Sequence, residues 1–543
     1  PDGAMFDVVV VGAGLSGLSA AELLLRRDAR LRVLVLEGKG RVGGRTLTQE
    51  LPAANGPDLW DLGGQWVGSS QTHVMNLIEE LGIEVYPQYT EGKKVHHMGG
   101  PAAKVRTYTG SIPSFSPLVL LDFSLFLWKI NRLSKSVSVE DPLSSPNALL
   151  YDSMTLASFV EKNIWTRELK EELGLCTRAV FGMEPSQMSF LYFLMYSAAA
   201  GGVMRLLETS SGSAQEFKIK GGAQHLSERL AERVGRECVR LGSPVTAIWQ
   251  VTVQSGERGG VTEREALLPN VSWLLLAPIS PPQIHTVSLS SAAKLHYQPA
   301  LPAGRQRLMQ CMPVGHMLKF IITYPTAFWR EKGFSGEIVA RPSKDCPLSA
   351  TFDATTPKGN AALVGFIAGV QACDWSVKKK EERRDAVVSS LVKYLGPEAS
   401  AYIQYVEKDW SEEEYNGGCP VNVMVPGMLT FYHPSLRSPC GRVYWAGTET
   451  ATQWCGYMSG AIQSGQRAAL QVLARLSPDC LSQEDRDAAQ ALENRHKKPA
   501  SSTGSCCFRA GLALMVLAVG ADKSKSSHKW VIILIVVTVT EQD

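Results

Sequence analysis

Three glycines near the N-terminus stand at the spacing of a phosphate-binding loop. Gly12, Gly14 and Gly17 lie between a β-branched run and an apolar pattern with helical spacing, and Ser16 belongs to the same loop. The first glycine permits a tight turn, the second lets backbone approach a pyrophosphate, and the third allows close packing of helix on strand. Glu37 follows Gly17 by 20 residues, at the end of a second apolar run, where its carboxylate can accept ribose hydroxyls. Glycines also occur at ordinary turns, but this context predicts a dinucleotide site.

A second glycine-rich segment indicates which dinucleotide binds. Gly43 and Gly44 lie between Arg41 and Arg45, directly after Glu37. The glycines permit close backbone approach, and the guanidinium of Arg45 can pair with phosphate oxygens. The segment resembles the GGR segment of the flavin amine oxidase superfamily, and this resemblance implies FAD.

Further segments extend the resemblance along the chain. The segment 61–68 (DLGGQWVG) resembles the family's turn under the flavin, and 445–450 (WAGTET) with 454–461 (WCGYMSGA) resembles its closing flavin motif. The similarity runs from about 6 to 476 and is closest to the monoamine oxidases. It implies these additional cofactor-binding residues: Gly63, Gly64, Gln65, Val245, Gly447, Glu449, Tyr457 and Met458.

Cys419 is the residue to which the resemblance assigns the most specific role. In isolation, a cysteine after Gly417 and Gly418 reads as an inert thiol beyond a turn. The surrounding segment 410–419 (WSEEEYNGGC) is similar in residue type and spacing to the monoamine oxidase segment that bears the cofactor. The resemblance implies a thioether between Cys419 and the 8α-methyl group of FAD.

The same resemblance implies a set of substrate-side residues. Monoamine oxidases carry a tyrosine directly after the cofactor-bearing cysteine, but this chain has Pro420 there, and only Tyr457 matches their aromatic cage. An amine would therefore meet one aromatic face instead of two. Lys294 is interpreted as the family lysine that holds a water near the flavin, although a lysine is otherwise most often solvent-facing. Leu207 and Gln215 resemble a cavity gate and a cavity glutamine, and both residue types are commonly structural.

These segments predict an α/β fold with interleaved domains. An FAD-binding, doubly wound (Rossmann-like) domain alternates along the chain with an α+β substrate-binding domain, and a C-terminal apolar tail follows. We assign the FAD-binding domain to 1–86, 220–291 and 413–476, the substrate domain to 87–219 and 292–412, and a linker with a candidate membrane-anchor tail to 477–543.

Composition excludes several other classes of protein. The 543 residues are 45% hydrophobic and 20% charged, with a net charge of +3, as is ordinary for a packed globular protein and not for a disordered chain or a nucleic-acid binder. The 11 cysteines are odd in number and lack metal-ligand spacing. This usage favours a reducing, intracellular compartment and predicts no metal site.

The C-terminal tail carries two apolar runs, 510–521 and 530–540. A spanning helix needs about 20 apolar residues, and neither run is that long. One interpretation is an interfacial or mobile tail. The other is a membrane anchor, with Cys506 and Cys507 as candidate palmitoylation sites and the mitochondrial outer membrane as the location.

The resemblance implies oxidation of a small-molecule amine by FAD, with formation of an imine and then an aldehyde, while oxygen becomes hydrogen peroxide. A homodimer is compatible with it. A polyamine oxidase and an L-amino-acid oxidase are alternatives, because Arg178 and Arg205 cannot be placed from sequence. A low-turnover flavin-binding interaction protein is a third alternative. Pro420 favours it, and the retention of Cys419, Lys294 and Tyr457 opposes it.

Overall fold

The N-terminal unit forms as the sequence predicts. In the computed structural model, β1 (Val8–Val11) and β2 (Val33–Leu36) are buried throughout, as β-branched and apolar strands of a covered parallel sheet should be. Between them runs α1 (Leu15–Arg27), which packs small and apolar residues against the sheet. The structure describes residues 6–98, 103–250, 282–286, 288–487, 516–518 and 533–535.

The remaining elements follow in chain order. The strands are β3 (Thr48–Leu51), β4 (Asp58–Asp61), β5 (Trp66–Val67), β6 (Val85–Pro87), β7 (Lys93–His97), β8 (Arg106–Tyr108), β9 (Phe217–Ile219), β10 (Val239–Arg240), β11 (Ala247–Trp249), β12 (Gln283–His285), β13 (His296–Gln298), β14 (Met317–Tyr324), β15 (Phe334–Ala340), β16 (Ala350–Asp353), β17 (Ala361–Ala368), β18 (Gln404–Asp409), β19 (Val443–Trp445), β20 (Val516–Ala518) and β21 (Ile533–Ile535). The helices are α2 (Thr72–Glu80), α3 (Pro117–Lys135), α4 (Ala148–Asp152), α5 (Leu156–Asn163), α6 (Arg167–Phe181), α7 (Phe190–Ala199), α8 (Val203–Leu207), α9 (Gln224–Val234), α10 (Leu289–Ala292), α11 (Ala303–Gln310), α12 (Phe328–Glu331), α13 (Val370–Ser376), α14 (Lys380–Leu395), α15 (Met428–Tyr432) and α16 (Met458–Leu476).

A parallel sheet of five strands gathers three separated stretches of chain. Its order is β10-β2-β1-β12-β19, and every neighbouring pair is parallel. The register pairs Val9 with Leu34 on one side and with Gln283 on the other. Helices α1, α9 and α16 pack together beside this sheet. Because ligands bind at the carboxyl ends of such strands, the loops after β1, β2 and β19 converge where a cofactor is expected.

A second, mixed sheet has seven strands in the order β18-β14-β17-β16-β15-β7-β8. Its pairs are antiparallel except for β15 with β7, which is parallel. Strand β14, which pairs with β18 and β17, is buried at every position, including Lys319. The two sheets draw on different, alternating stretches of the chain. The exact domain boundaries given above remain a prediction.

A group of helices completes the fold around α7. This helix is apolar on all sides, and only Ala198 of its ten residues is not buried. Such a helix must be covered by other elements, and α3, α4, α5 and α8 pack against it. The packing holds Tyr196 on α7 and Leu207 on α8 in fixed positions.

The chain divides into two compact units, Pro1–Leu492 and Glu493–Asp543. In the second unit, β20 and β21 pair antiparallel, with Val516 opposite Ile535. Most of the predicted C-terminal tail, including Cys506 and Cys507, lies outside the described residues. No helix in the described part of the chain combines the length and the apolar character needed to cross a membrane.

Candidate active site

One cavity of about 370 Å³ runs from the carboxyl end of the parallel sheet to the face of the mixed sheet. This volume falls within the usual range of small-molecule sites. Most of the site residues predicted from the sequence line it, namely Gly12, Gly14, Ser16, Glu37, Arg45, Gly63, Gly64, Gln65, Leu207, Gln215, Cys419, Pro420, Gly447, Tyr457 and Met458. We call the part near Gly12 and Glu37 the nucleotide end, and the part near Cys419 and Tyr457 the reaction end.

The nucleotide end is built mainly from backbone. Gly12 has φ of +103°, which favours glycine, and it turns the chain from β1 toward α1. The carboxylate of Glu37 accepts hydrogen bonds from the backbone nitrogens of Ala13 (2.8 Å) and Lys39 (3.0 Å). These bonds hold Glu37 against the glycine loop, where it lines the cavity.

Gly17 and Ser16 fix how closely the elements approach. A Cβ on Gly17 would lie 2.0 Å from the carbonyl oxygen of Gly12, so only glycine fits there. The backbone nitrogen of Gly447 donates to the hydroxyl of Ser16 (2.9 Å). The first glycine loop and the closing motif, more than 400 residues apart, therefore meet directly at α1.

Arg45 and Glu449 form a two-pronged ion pair beside the cavity. The Nη1 and Nη2 atoms of Arg45 lie 2.6 and 3.0 Å from the two carboxylate oxygens of Glu449. Nη1 also donates to the carbonyl oxygen of Pro420 (2.8 Å). The terminal nitrogens that we expected to face phosphate thus join the closing motif to the loop after Cys419.

The reaction end contains a buried lysine that sequence reasoning missed. The Nζ of Lys319 donates to the carbonyl oxygen of Gly63 (2.9 Å) and to Oε1 of Gln65 (2.8 Å). Burial lowers the pKa of Lys319 well below its ordinary value, and the carboxylate of Asp61 opposes part of that shift. Its detectable signal in the sequence was a single charge within the otherwise apolar run of β14.

Cys419 lies in the cavity wall, next to the Pro420 whose carbonyl oxygen binds Arg45. Its thiol is buried, with Sγ 3.9 Å from the carbonyl oxygen of Met317. Its backbone nitrogen donates to the carbonyl oxygen of Gly315 (2.9 Å). Burial raises the pKa of the Cys419 thiol to about 12, although Arg45 acts in the opposite direction.

Aromatic side chains close the substrate side. The rings of Tyr457 and Tyr196 have centroids 6.2 Å apart with their planes at 45°, and Trp454 meets Tyr457 edge-on at 5.2 Å. Tyr196 also lines the cavity and was not predicted from sequence. Nε2 of Gln215 donates to the carbonyl oxygen of Leu206 (3.0 Å), and its buried Oε1 has no partner within the described residues.

Two predicted residues lie elsewhere. Lys294 is exposed just after α10 and does not line the cavity, so its interpretation as the lysine near the flavin was wrong. The physical reason is position: Lys294 follows the short helix α10 at the surface, whereas Lys319 lies inside the buried strand β14. Val245 packs half-buried against Val9, Leu34 and Leu36, and it is not part of the cavity lining.

The residues present fit FAD. The N-terminus of α1 opens without a side-chain cap and without an acidic residue in its first turn, which leaves its backbone N–H groups available to phosphate. The N-terminus of α16 has the same properties: Tyr457 occupies its N-cap position but makes no capping hydrogen bond with its side chain, and the first turn holds no acidic residue. Nε2 of Gln65 is buried without a partner in the described part of the chain, and the lining around it suits a planar ring.

Fold and cavity together define a dinucleotide-dependent oxidoreductase. The profile of the family Flavin containing amine oxidoreductase matches residues 15–473. The chain therefore belongs to the flavin-containing amine oxidoreductases, and it is an FAD-dependent enzyme that oxidises amines.

Curated relatives and solved structures agree with this membership. The chain is 36% identical to "Amine oxidase [flavin-containing] A" of Bos taurus over 477 residues, which cover 87% of this chain and 86% of the relative. It is also 36% identical to "Probable flavin-containing monoamine oxidase A" of Dictyostelium discoideum, over 87% of this chain and 98% of the relative. Among solved structures, cyclohexylamine oxidase from Brevibacterium oxydans IH-35A aligns with a TM-score of 0.76 and 32% identity, over 88% of this chain and all of that one. Putrescine oxidase bound to putrescine aligns with a TM-score of 0.76 and 27% identity, over 87% and 99% of the two chains.

Proposed function

We propose that the protein oxidises uncharged primary monoamines to imines, which hydrolyse to aldehydes and ammonia, while oxygen is reduced to hydrogen peroxide. The observation that carries this proposal is the lining of the reaction end. Lys319, Cys419 and Tyr457 lie together there among apolar and aromatic side chains. Among the described residues that line the cavity, the only carboxylate is that of Glu37, at the opposite end.

The absence of a second charged anchor favours a monoamine over the alternatives. A diamine would need a carboxylate for its far ammonium group, and an amino acid would need an unpaired arginine. Arg178 pairs with Glu184 at 2.8 Å, Arg205 is exposed, and neither lines the cavity. Arg45 does line it, but Glu449 occupies its guanidinium.

Each side chain has a distinct task in this proposal. Bound FAD would supply the acceptor for the two electrons of the amine and their route to oxygen. The ring of Tyr457, supported by Tyr196, orients the amine, and the apolar wall around Leu207 excludes water and favours the neutral form. Lys319 takes the role that the resemblance assigned to the family lysine. It lines the cavity, and its Nζ is fixed there by donating to the carbonyl oxygen of Gly63 and to Oε1 of Gln65.

Pro420 is proposed to widen the range of amines. It lines the cavity and directly follows Cys419, where the monoamine oxidases carry the first of their two cage tyrosines. With one aromatic face instead of two, the entering nitrogen is less confined, and bulkier groups next to it are accommodated. Gln215 contributes an unpaired buried acceptor that can bind an N–H group of the substrate.

Cys419 is proposed to hold FAD through a thioether bond. Its buried sulfur in the cavity wall and its fixed backbone support this assignment. The test is denaturation in acid followed by gel filtration, in which we expect the yellow colour to remain with the polypeptide. Cys419→Ala should release all its colour, while Cys455→Ala, which removes a buried thiol outside the cavity lining, should not. Colour released from the unaltered protein would contradict the thioether.

The oxidase activity itself is tested by anaerobic titration. Benzylamine, a long-chain primary amine, putrescine and an L-amino acid are each mixed with the purified protein while the flavin absorbance is recorded. We expect bleaching by the two monoamines and little by putrescine or the amino acid. Faster bleaching by putrescine would establish the diamine alternative, and bleaching by none of them would establish a low-turnover flavoprotein.

The cellular setting is proposed on narrower grounds. The nine described cysteines are all free of disulfides, which supports a reducing, intracellular compartment. The apolar runs 510–521 and 530–540 support membrane contact through the C-terminal tail. The family resemblance is the ground for proposing the mitochondrial outer membrane as the location and a homodimer as the assembly. Sedimentation of the full chain with anionic vesicles, compared with a chain ending at 487, tests the membrane contact, and light scattering tests the assembly.

A further inference from the structure

A cysteine, a histidine and an aspartate meet outside the cavity. Nδ1 of His316 lies 3.2 Å from Sγ of Cys373, and Nε2 of the same ring lies 3.0 Å from Oδ1 of Asp409. Nucleophile, base and orienting carboxylate are thus each within hydrogen-bonding reach of the next, which is the arrangement that activates a thiol. None of the three lines the cavity of the active site.

The mixed sheet places the three residues together. His316 immediately precedes β14, Asp409 ends β18, and the two strands pair with Leu318 opposite Asp409. Cys373 lies on α13, which begins just after β17 on the other side of β14. The backbone nitrogen of Gly369 donates to the carbonyl oxygen of His316 (3.0 Å) and fixes the start of that helix. The cluster therefore rests on paired strand ends.

The hydrogen bonds determine which nitrogen of His316 carries the proton. Burial raises the pKa of Asp409, but hydrogen bonds from His316 and Ser411 outweigh it and leave the pKa below its ordinary value. The carboxylate is therefore ionised at neutral pH and accepts the Nε2–H of His316. This leaves Nδ1 with its lone pair directed at the thiol of Cys373.

The surroundings make the thiol dependent on this base. Burial and the carboxylates of Asp374, Asp409 and Glu184 raise the pKa of Cys373, so the free thiol alone would react slowly. Oδ2 of Asp409 is buried and has no partner within the described residues, and its charge is available to stabilise a positive imidazole. Cys373 is also the one exposed cysteine among the nine that the structure describes, so small molecules reach it.

We propose that Cys373, His316 and Asp409 form a thiol modification site that reacts with hydrogen peroxide. Nδ1 of His316 takes the thiol proton as the sulfur attacks one oxygen of the peroxide. The O–O bond breaks, an S–O bond forms, and the leaving hydroxide takes the proton from His316 to become water. The sulfur is oxidised by two electrons to sulfenic acid, and the peroxide is reduced. That the enzyme itself produces this peroxide rests on the proposed function.

The test adds hydrogen peroxide directly to the holoenzyme, without amine, and traps sulfenic acid with dimedone. Peptide mass spectrometry then gives the rate of labelling at each cysteine. We expect Cys373 to be labelled at least tenfold faster than the partly buried Cys480, and His316→Gln to lower the rate at Cys373 at least tenfold. Labelling of Cys373 no faster than Cys480, or equal rates with and without His316, would overturn the proposal.

A second measurement uses the unaltered protein, in case His316→Gln does not fold. Alkylation of Cys373 by iodoacetamide is followed between pH 5 and 9. An assisting imidazole predicts a rate that levels off with rising pH, whereas an unassisted thiol predicts a rise of tenfold per pH unit toward its raised pKa. Turnover of an amine in place of added peroxide is a separate arm. Labelling by added peroxide without labelling during turnover would count against the proposed function and leave the thiol site established.

Discussion

At the nucleotide end of the cavity the chain presents backbone, whereas at the reaction end it presents side chains from distant segments. Gly12, Gly14 and Glu37 come from a single βαβ unit of about thirty residues. Lys319, Cys419 and Tyr457 come from a mixed sheet, a loop and a helix start. In the proposed function, binding of the cofactor therefore depends on local shape, while its reactivity depends on how the two sheets are joined.

The largest effect is expected at the nucleotide end. Gly17→Val would place side-chain carbon 2.0 Å from the carbonyl oxygen of Gly12, and backbone must move to accept it. We expect no flavin-containing protein from this variant, measured as the ratio of flavin to protein after purification. Gly40→Ala is the matched control, because a Cβ at Gly40 meets no atom within 4 Å. Normal flavin content in Gly17→Val would show that close packing there is not required.

An intermediate effect is expected where the two ends are joined. Glu449→Gln keeps the shape of the side chain but leaves Arg45 without its charge partner. Breaking a fully buried ion pair costs about 3–5 kcal/mol. Because the Arg45 side chain is 23% exposed, we expect a cost below that range, seen as a lower thermal midpoint of unfolding. Glu84→Gln removes a carboxylate from the exposed pair with Lys220 and should change the midpoint little. Equal shifts in the two variants would contradict a joining role for the buried pair.

The smallest effect is expected from the second aromatic ring of the reaction end. Tyr196→Leu removes the ring contact with Tyr457, along with those to Phe181 and Tyr192, and one such pair contributes about 0.5–1.5 kcal/mol. If Tyr196 supports Tyr457 in orienting the amine, kcat/KM should fall about 2- to 13-fold at unchanged flavin content. The matched control is Tyr192→Leu, which removes a buried tyrosine of the same helix that does not line the cavity. A loss of flavin in Tyr196→Leu would instead make the residue structural.

The contrast between the two ends also explains what could be predicted from sequence. The glycine loop, Glu37 and the helix α1 are local, so their spacing alone predicts their geometry. Cys419 and Tyr457 were found through a resemblance in short motifs. Lys319 and Tyr196 belong to no motif, and only strand register and helix packing bring them to the cavity. Lys294 is the opposite case: its surrounding sequence resembles a family segment, but the residue is exposed and lies outside the cavity lining.

The proposed function requires that Lys319 serves the reaction end and that Lys294 does not. It is tested by measuring kcat for a primary monoamine in Lys319→Met and Lys294→Met, each with its flavin content. Loss of one fixed donor at a reacting centre typically costs about 10²–10³ in kcat. We predict a loss of about this size in Lys319→Met with flavin retained, and no change in Lys294→Met. Full activity in Lys319→Met, or a comparable loss in Lys294→Met, would contradict the account.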